Sequence, residues 1–324
     1  LKILLTGANG FVGSHVLDKL RALGVPTAIL LRSTSNLRFI QTHLSWAEAR
    51  PGSISDPPSL RQAMAGITHV IHCAGCTRAL RIPEFYEVNR DGTRNVIQAA
   101  SAQPGIRRVV HISSQAASGP AMPRHPALEQ DAPHPVSEYG KSKLAGEMEV
   151  LAHCRPEFVI LRPPGVYGPR DVEFLRLFKA VQAHLLPRPG PQALSLVFVQ
   201  DLAQAIVTCL DHPAAARKTY FAACPEIVTA RSMAREIAIQ MGVWTVPLPL
   251  PALMLWPLCL GQQIMSRLTG RASVLDLQKF AELRAPGWVC NPGLLERETG
   301  CACPTTLKPG IGQTLRWYRQ ERWI

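Results

Sequence analysis

The chain has 324 residues, enough for one large domain or two small ones, and its 47% hydrophobic content can fill a sizeable core. Its net charge of +12 comes from 35 basic and 23 acidic residues scattered without a long Lys/Arg block or interleaved stacking aromatics. That pattern argues against nucleic acid and leaves an anionic cofactor, a phosphorylated substrate or an acidic membrane surface as partners.

Strands are predicted in chain order at 2–6, 27–31, 69–73, 108–112 and 158–161, with helices near 11–23, 59–65, 83–102 and 137–153. Short runs apolar on both faces, alternating with helical patterns, predict an α/β fold: a Rossmann-type, doubly wound parallel sheet covered by helices on either side. Ligands of such sheets bind at the carboxyl ends of the strands. After about residue 165 the pattern loosens into helices near 172–184, 200–211, 229–241, 251–268 and 307–321, joined by Pro-rich connections such as "LLPRPGPQ". The predicted division is a dinucleotide-binding domain over 1–165 and a smaller C-terminal substrate lobe over 166–324. That lobe packs on the sheet, closes over a cleft and does not fold by itself.

The first strand runs into "LLTGANGFVGSHV". Gly7 makes the tight turn, Gly10 lets the backbone approach a pyrophosphate, and Gly13 lets helix and strand pack closely; Phe11 and Val12 complete the predicted phosphate turn. The second strand ends in "AILLRSTSNLRF", with Arg32, Ser33 and Arg38 where an acidic residue would meet the ribose 2′-hydroxyl of NAD. Guanidinium groups suit a 2′-phosphate, so NADP is predicted, with NAD as the alternative.

Nine cysteines, odd in number and without framework or zinc spacing, predict a reduced, cytoplasmic protein with no metal centre; no signal peptide is visible. Cys73 and Cys76 have redox spacing, but they follow an apolar strand around a glycine turn, which suits cofactor-loop packing better than dithiol chemistry. In "SEYGKSKLAGE", Tyr139 and Lys143 share one face of a helix while Lys141 points elsewhere, into solvent. A cation beside a phenol stabilises the phenolate and makes an acid/base near neutral pH.

With "FYEVNRDGTRNV" on a helix and "VVHISSQAASG" at the end of a strand, the T-G-x-x-G-x-x-G and Y-x-x-x-K patterns resemble the extended short-chain dehydrogenase/reductase family. "VILRPPGVYGPRD" and "LVFVQDLAQAI" are similar to later segments of that family, so the resemblance spans at least 1–211 and continues more weakly through "RAPGWVCNP". Its flavour is that of the epimerase/dehydratase-like branch related to 3β-hydroxysteroid dehydrogenases and dihydroflavonol reductases. The resemblance implies an NAD(P)-dependent oxidoreductase working on a hydroxyl/ketone pair. Tyr139 is then the general acid/base, and Lys143 lowers its pKa and bonds the nicotinamide ribose. Ser114 orients the substrate oxygen, chosen over Ser113 by its spacing to Gly119, and Asn89 braces the site and its proton relay. Pro163 and Val166 lie against the nicotinamide, and Cys73, Ala74 and Gly75 against the middle of the cofactor. A homodimer through the helices near 83–102 and 137–153 is implied too, with the small residues of "VIQAASA" permitting close packing.

Two departures stand out. Ser53 occupies the place of a strand-end aspartate that reads adenine, leaving the Ile54 backbone for that task and Asp56 as a helix cap. Gln115 and Ala116 follow Ser114 where the family's dehydratases carry an acidic pair, which disfavours dehydration. Two alternatives to the reductase are a nucleotide-sugar epimerase with tightly held NAD and a non-catalytic dinucleotide-binding sensor or scaffold. For the epimerase, Arg170, Lys179 and Arg188 are the cations on hand for a diphosphate. The most apolar stretch, "VPLPLPALMLWPLCLG" at 246–261, is too short and, with four prolines, too broken to span a bilayer. It is expected to wall the substrate cleft and touch a membrane surface, which predicts a lipophilic substrate; a core-packing strand followed by a helix from Pro251 is the alternative.

Overall fold

The computed structural model describes residues 1–188, 192–249, 261 and 277–324. The five predicted apolar runs become β1 (Ile3–Thr6), β2 (Thr27–Leu31), β4 (His69–His72), β5 (Arg108–Ile112) and β6 (Glu157–Arg162), after an unpredicted β3 (Glu48–Pro51) takes its place in the chain. Further on come β7 (Gly165–Tyr167), β8 (Leu185–Arg188), β9 (Ala193–Phe198), β10 (Lys218–Phe221), β11 (Ile227–Thr229), β12 (Val246–Pro249) and β13 (Gly287–Trp288). β3 escaped prediction because it is a largely exposed edge strand, "EARP", with no apolar face to bury.

Seven strands form one sheet in the order β10-β6-β5-β4-β1-β2-β3, and each neighbouring pair is parallel. Ile3 of β1 is paired with Thr27 on one side and His69 on the other. The chain therefore winds away from β1 in both directions, which opens a crevice at the carboxyl end of β1 and β4. One face of the sheet is covered by the helices Phe11–Ala22 and Val199–Thr208, through Val16, Leu17, Leu20, Leu202 and Ile206. The other face carries Pro57–Ala63, Thr93–Ser101 and Glu138–His153, through Leu60, Val96, Ile97 and Val150. The doubly wound fold is thus as expected.

The helix predicted at 83–102 is interrupted: Ile82–Tyr86 and Thr93–Ser101 flank a π-helical segment, Glu87–Gly92, that contains Asn89. Val96, Ile97, Ala99 and Ala100 of "VIQAASA" are buried inside the protein, so they serve intramolecular packing. The apolar surface of this layer is on the neighbouring helix, where Met148 and Leu151 are exposed.

The second half of the chain builds a lobe around Phe178, Met233, Ile237, Ile311, Leu315 and Tyr318. In it, β9 pairs with β7, β11 and β13, and β8 pairs with β12. Yet β10 and the helix Val199–Thr208 also come from beyond residue 165 and belong to the large sheet and its cover. Of the apolar stretch 246–261, Val246–Pro249 form β12; the predicted helix at 251–268 lies outside the described residues, apart from Gly261. Among the described residues no helix is long and apolar enough to cross a membrane.

Candidate active site

Gly7 follows β1 with φ at 71°, a left-handed conformation that disfavours any side chain, and a Cβ there would stand 2.6 Å from the backbone nitrogen of Ala74. The loops after β1 and β4 thereby meet backbone to backbone. Gly10 donates to the Gly7 carbonyl at 3.0 Å and occupies the N-cap of the helix Phe11–Ala22. At Gly13 a Cβ would run into the Gly7 carbonyl oxygen, so helix and turn touch as the spacing predicted. No side chain caps this helix, which leaves the first-turn amides, including those of Phe11 and Val12, for an anion. A cradle this tight to side chains, ending at an uncapped helix, fits a dinucleotide pyrophosphate.

Arg32 and Ser33 are exposed at the end of β2. Arg38 is exposed as well, and its guanidinium lies 4.9 Å from the ring centre of Trp323, near the end of the chain. Ser53 Oγ shares a hydrogen bond with Ser55 Oγ at 2.8 Å, and the Ile54 carbonyl accepts from Asn95 Nδ2 at 2.9 Å. Asp56 holds the N-cap position of Pro57–Ala63, but its side chain makes no capping bond.

Across the crevice, four side chains gather at the ends of β4 and β5. Asn89 is fully buried in its π-helical segment: Oδ1 accepts from the Cys76 amide at 2.8 Å, and Nδ2 donates to the Cys76 carbonyl and to Ser142 Oγ, both at 2.9 Å. It thus ties the loop Cys73-Ala74-Gly75-Cys76 to the helix Glu138–His153. Ser142 lies between Tyr139 and Lys143 in sequence and donates onward to the Tyr139 carbonyl at 2.7 Å. Lys143 is buried and donates to the Ile112 carbonyl at 2.7 Å. Burial pushes its pKa down to about 8, against the pull of Glu147.

Tyr139 is half-buried, with its ring centre 6.1 Å from that of Phe85. Burial pushes the phenol up to about 12, a hydrogen bond with Ser114 opposes that rise, and the Glu282 carboxylate adds to it. In the protein alone, desolvation governs the phenol, and one donor of the Lys143 ammonium is taken by the Ile112 carbonyl.

The choice between Ser113 and Ser114 has a structural reason. Ser113 is buried and gives its hydroxyl to Glu147. Ser114 is half-buried at the N-cap of the short helix Gln115–Ser118, where its Oγ accepts from the Ala116 amide at 3.1 Å. That leaves the Ser114 proton for a neighbour, and its neighbour is Tyr139. Gln115 is buried, and its backbone donates to the Pro163 carbonyl at 2.8 Å. This bond fixes the Pro163–Val166 segment beside Ser114, with Pro163 buried and Val166 half-buried.

Sequence reasoning missed several residues here. Arg78 pairs with Glu173 across the cleft, Nε to Oε1 at 2.6 Å; their separation of 95 residues offers no local signal. Ser137 caps the active-site helix by accepting from the Gly140 amide at 3.0 Å and donates to Glu282 at 2.8 Å; only the cap is legible in "SEYG". Glu147 and Arg162, both buried, pair at 2.6 Å behind Ser113. His72 and His111, on β4 and β5, are buried with ring centres 5.2 Å apart. Burial and then Lys143 lower the pKa of both, to about 3 for His72, so they form a neutral floor beneath the ammonium.

Cys73 is pushed up to about 12 by burial and Cys76 is raised for the same reason, so neither is a ready thiolate. Arg170 reaches Asp18 at 2.7 Å on the helix Phe11–Ala22, Lys179 is exposed, and the Arg188 side chain lies outside the described residues. Two cavities of about 290 and 390 Å³ share Pro120 and Pro286 beside the segment that runs from Ser118 to Val136. Among the described residues no group of three His, Cys, Asp or Glu side chains is arranged to hold a metal ion.

The model of the "NAD dependent epimerase/dehydratase family" matches residues 3–223. A ceramide reductase of Caulobacter vibrioides is 30% identical over 99% of this chain and 96% of its own. A UDP-glucose 4-epimerase of Vibrio cholerae is 29% identical over 98% and 95%. The solved dTDP-glucose 4,6-dehydratase of Bacillus anthracis, in complex with NAD, shares the fold with a TM-score of 0.80 over 100% of this chain and 98% of that one, at 18% identity.

Proposed function

The chain belongs to the NAD dependent epimerase/dehydratase family and is an NAD(P)-dependent oxidoreductase of the extended short-chain dehydrogenase/reductase type; from that premise we propose that it reduces the ketone of a lipophilic substrate, with NADP as cofactor. A nicotinamide dinucleotide held there would supply the hydride from its C4. The protein's part is to hold and to protonate. The glycine turn and the first-turn amides receive the pyrophosphate, while Arg32, Ser33 and Arg38 take the 2′-phosphate. Lys143 bonds the ribose, and Pro163 and Val166 back the ring. Ser114 orients the substrate oxygen, Tyr139 gives it a proton, and Asn89 keeps loop and helix in register. In this reading 1–165 carries the dinucleotide and 166–324 the substrate.

The observation that carries the reading is the convergence of Ser114, Tyr139, Lys143 and Asn89 on one edge of the sheet beside the glycine turn. A phenol held at about 12 is protonated at neutral pH and suits the donor role that reduction needs. Similarity to a ceramide reductase supports a lipid-like substrate. A nucleotide sugar would need cations for its diphosphate; of Arg170, Lys179 and Arg188, Arg170 is engaged by Asp18, while Lys179 is exposed. The eight described cysteines are unpaired, which suits a reducing, cytoplasmic setting.

The test is a turnover panel of long-chain keto lipids, sterol ketones and UDP-sugars with NADPH or NADH, together with assay of any dinucleotide released on denaturation. NADPH oxidation with a keto lipid and readily exchanged cofactor is the expected result. Epimerisation of UDP-sugars alone, with stoichiometric retained NAD, overturns it in favour of the epimerase. Bound cofactor without turnover across the panel overturns it in favour of a sensor.

A further inference from the structure

We infer that the outer face of the β8–β12 ribbon, with the end of the adjoining helix Ala230–Met241, is a docking surface for an anionic lipid bilayer. The two strands pair in parallel with Val246 opposite Leu185 and Leu248 opposite Pro187. Because strand side chains alternate between faces, Leu186 turns inward and is buried in the lobe core, while Leu185, Val246 and Leu248 are exposed. Trp244, just before β12, is 68% exposed and stacks on His184 at 4.2 Å between ring centres. Its carbonyl is bonded to His184 Nδ1 at 2.8 Å, so the indole is presented on a fixed backbone. Ile239, 63% exposed, lies near the end of the helix Ala230–Met241, which packs on β8.

Five large apolar side chains in one region need a cover, and the charge around them says which kind. No acidic residue occurs at 174–200 or at 237–275, the two stretches of sequence that supply the ribbon. Exposed Arg231 and Arg235 stand four residues apart in line with Ile239 on the helix, and Arg176 and Lys179 are exposed on the helix Leu175–Gln182, which packs against it. The one carboxylate of the Ala230–Met241 helix, Glu236, is half-buried and accepts from Gln240 Nε2 at 2.6 Å. An apolar patch with a tryptophan, flanked by cations and, among the described residues of its two strands, without carboxylates, matches the boundary of an anionic bilayer, where apolar insertion and surface potential act together. A second copy of this cationic face would repel it. The chain also continues from β12 directly into its most apolar run of sequence.

The inference deepens the lipid-substrate reading, since a bilayer is where such a substrate resides, but its test reads no turnover. The full chain is floated with phosphatidylcholine vesicles with and without phosphatidylglycerol. The expected result is binding that needs phosphatidylglycerol, weakens with added salt, and falls at least about tenfold in Trp244→Ser/Leu248→Ser with the melting temperature retained. The pair Arg231→Glu/Arg235→Glu keeps the apolar face and should lose the phosphatidylglycerol dependence, so the test survives if the first variant fails to fold. Absence of binding to either vesicle, or binding unchanged in both variants, overturns the inference. Loss of a dimer in the Trp244 variant, seen by light scattering, would instead assign the face to a second copy. Vesicle binding in an enzyme that turns over only UDP-sugars would leave this inference standing and remove the lipid-substrate reading.

Discussion

Lys143 lies one helical turn beyond Tyr139, yet its ammonium donates to the Ile112 carbonyl at 2.7 Å. The two groups thus titrate for separate reasons. Desolvation raises the phenol to about 12 and lowers the amine to about 8. Below pH 8 the amine is charged and able to hold a ribose hydroxyl; above it the charge is lost while the phenol is still protonated.

It follows that kcat/KM for ketone reduction should be flat through neutrality and fall as pH rises past about 8, the value at which Lys143 titrates in the free protein. Lys143→Arg keeps its charge at higher pH and should move that falling limb upward, whatever its absolute rate. A limb in the same place in the arginine variant would assign it to another group. The same depression has a stability consequence. The unfolded chain binds a proton on this lysine up to about pH 10.4, so between pH 8 and that value stability should rise with pH.

Tyr139→Phe keeps the ring against Phe85 and removes the transferable proton. Turnover should fall by about 10²–10⁴-fold, with dinucleotide affinity nearly unchanged by fluorescence titration. Lys143→Met should weaken both, because it also removes the proposed ribose contact. Turnover like that of the unmodified protein in the phenylalanine variant would remove Tyr139 from the reaction.

Much of this site was legible because its parts are local. The glycine turn, the strand that precedes it and the i,i+4 pair at Tyr139 and Lys143 all lie within short windows where spacing alone fixes geometry. Ser114 needed only its distance to Gly119. Contacts between distant segments were invisible: Arg78 meets Glu173 only because the loops after β4 and β7 converge. The exposed β3 and the lobe strand β10, which returns to the large sheet, carry too little apolar pattern to be found. The burial that raises the Tyr139 phenol was out of view for a related reason. Sequence gives the neighbour along a helix, but not the Ile112 carbonyl that takes the ammonium.

Behind the site, Glu147 accepts from both Ser113 and Arg162 in a buried cluster. Glu147→Ala should strand the Arg162 charge and cost about 3–5 kcal/mol of stability, measured by denaturant unfolding. Glu147→Met combined with Arg162→Met removes both charges and should recover much of that loss. A double variant no more stable than Glu147→Ala would show that the cluster stabilises by more than mutual neutralisation.

At the far end of the proposed cofactor groove, Arg32 is exposed and, among the described residues, forms no ion pair with a carboxylate. It is thus available to a 2′-phosphate. Arg38 is stacked on Trp323 and is expected to contribute less. NADPH should bind more tightly than NADH by about ten- to a hundredfold, the equivalent of roughly 1.5–3 kcal/mol from a charge-assisted contact. Arg32→Asp should reverse the order. Equal affinities in the unmodified protein, by calorimetry, would refute the NADP assignment.

The helix Glu138–His153 presents Met148 and Leu151 to solvent, with half-buried Leu144 one turn before them. Their i, i+4, i+7 spacing makes a single stripe on the face away from the sheet. The Arg94–Glu149 ion pair at 2.5 Å ties this helix to Thr93–Ser101, so the two form one surface. An apolar stripe on a rigid helix pair suits isologous pairing, in which each copy covers the other's stripe about a two-fold axis. A homodimer is therefore expected by light scattering at micromolar concentration. Met148→Glu with Leu151→Glu places like charges face to face in that arrangement and should yield monomers that retain the melting profile of the fold. A monomer before mutation would refute the dimer, and a dimer that survives both glutamates would place the association elsewhere.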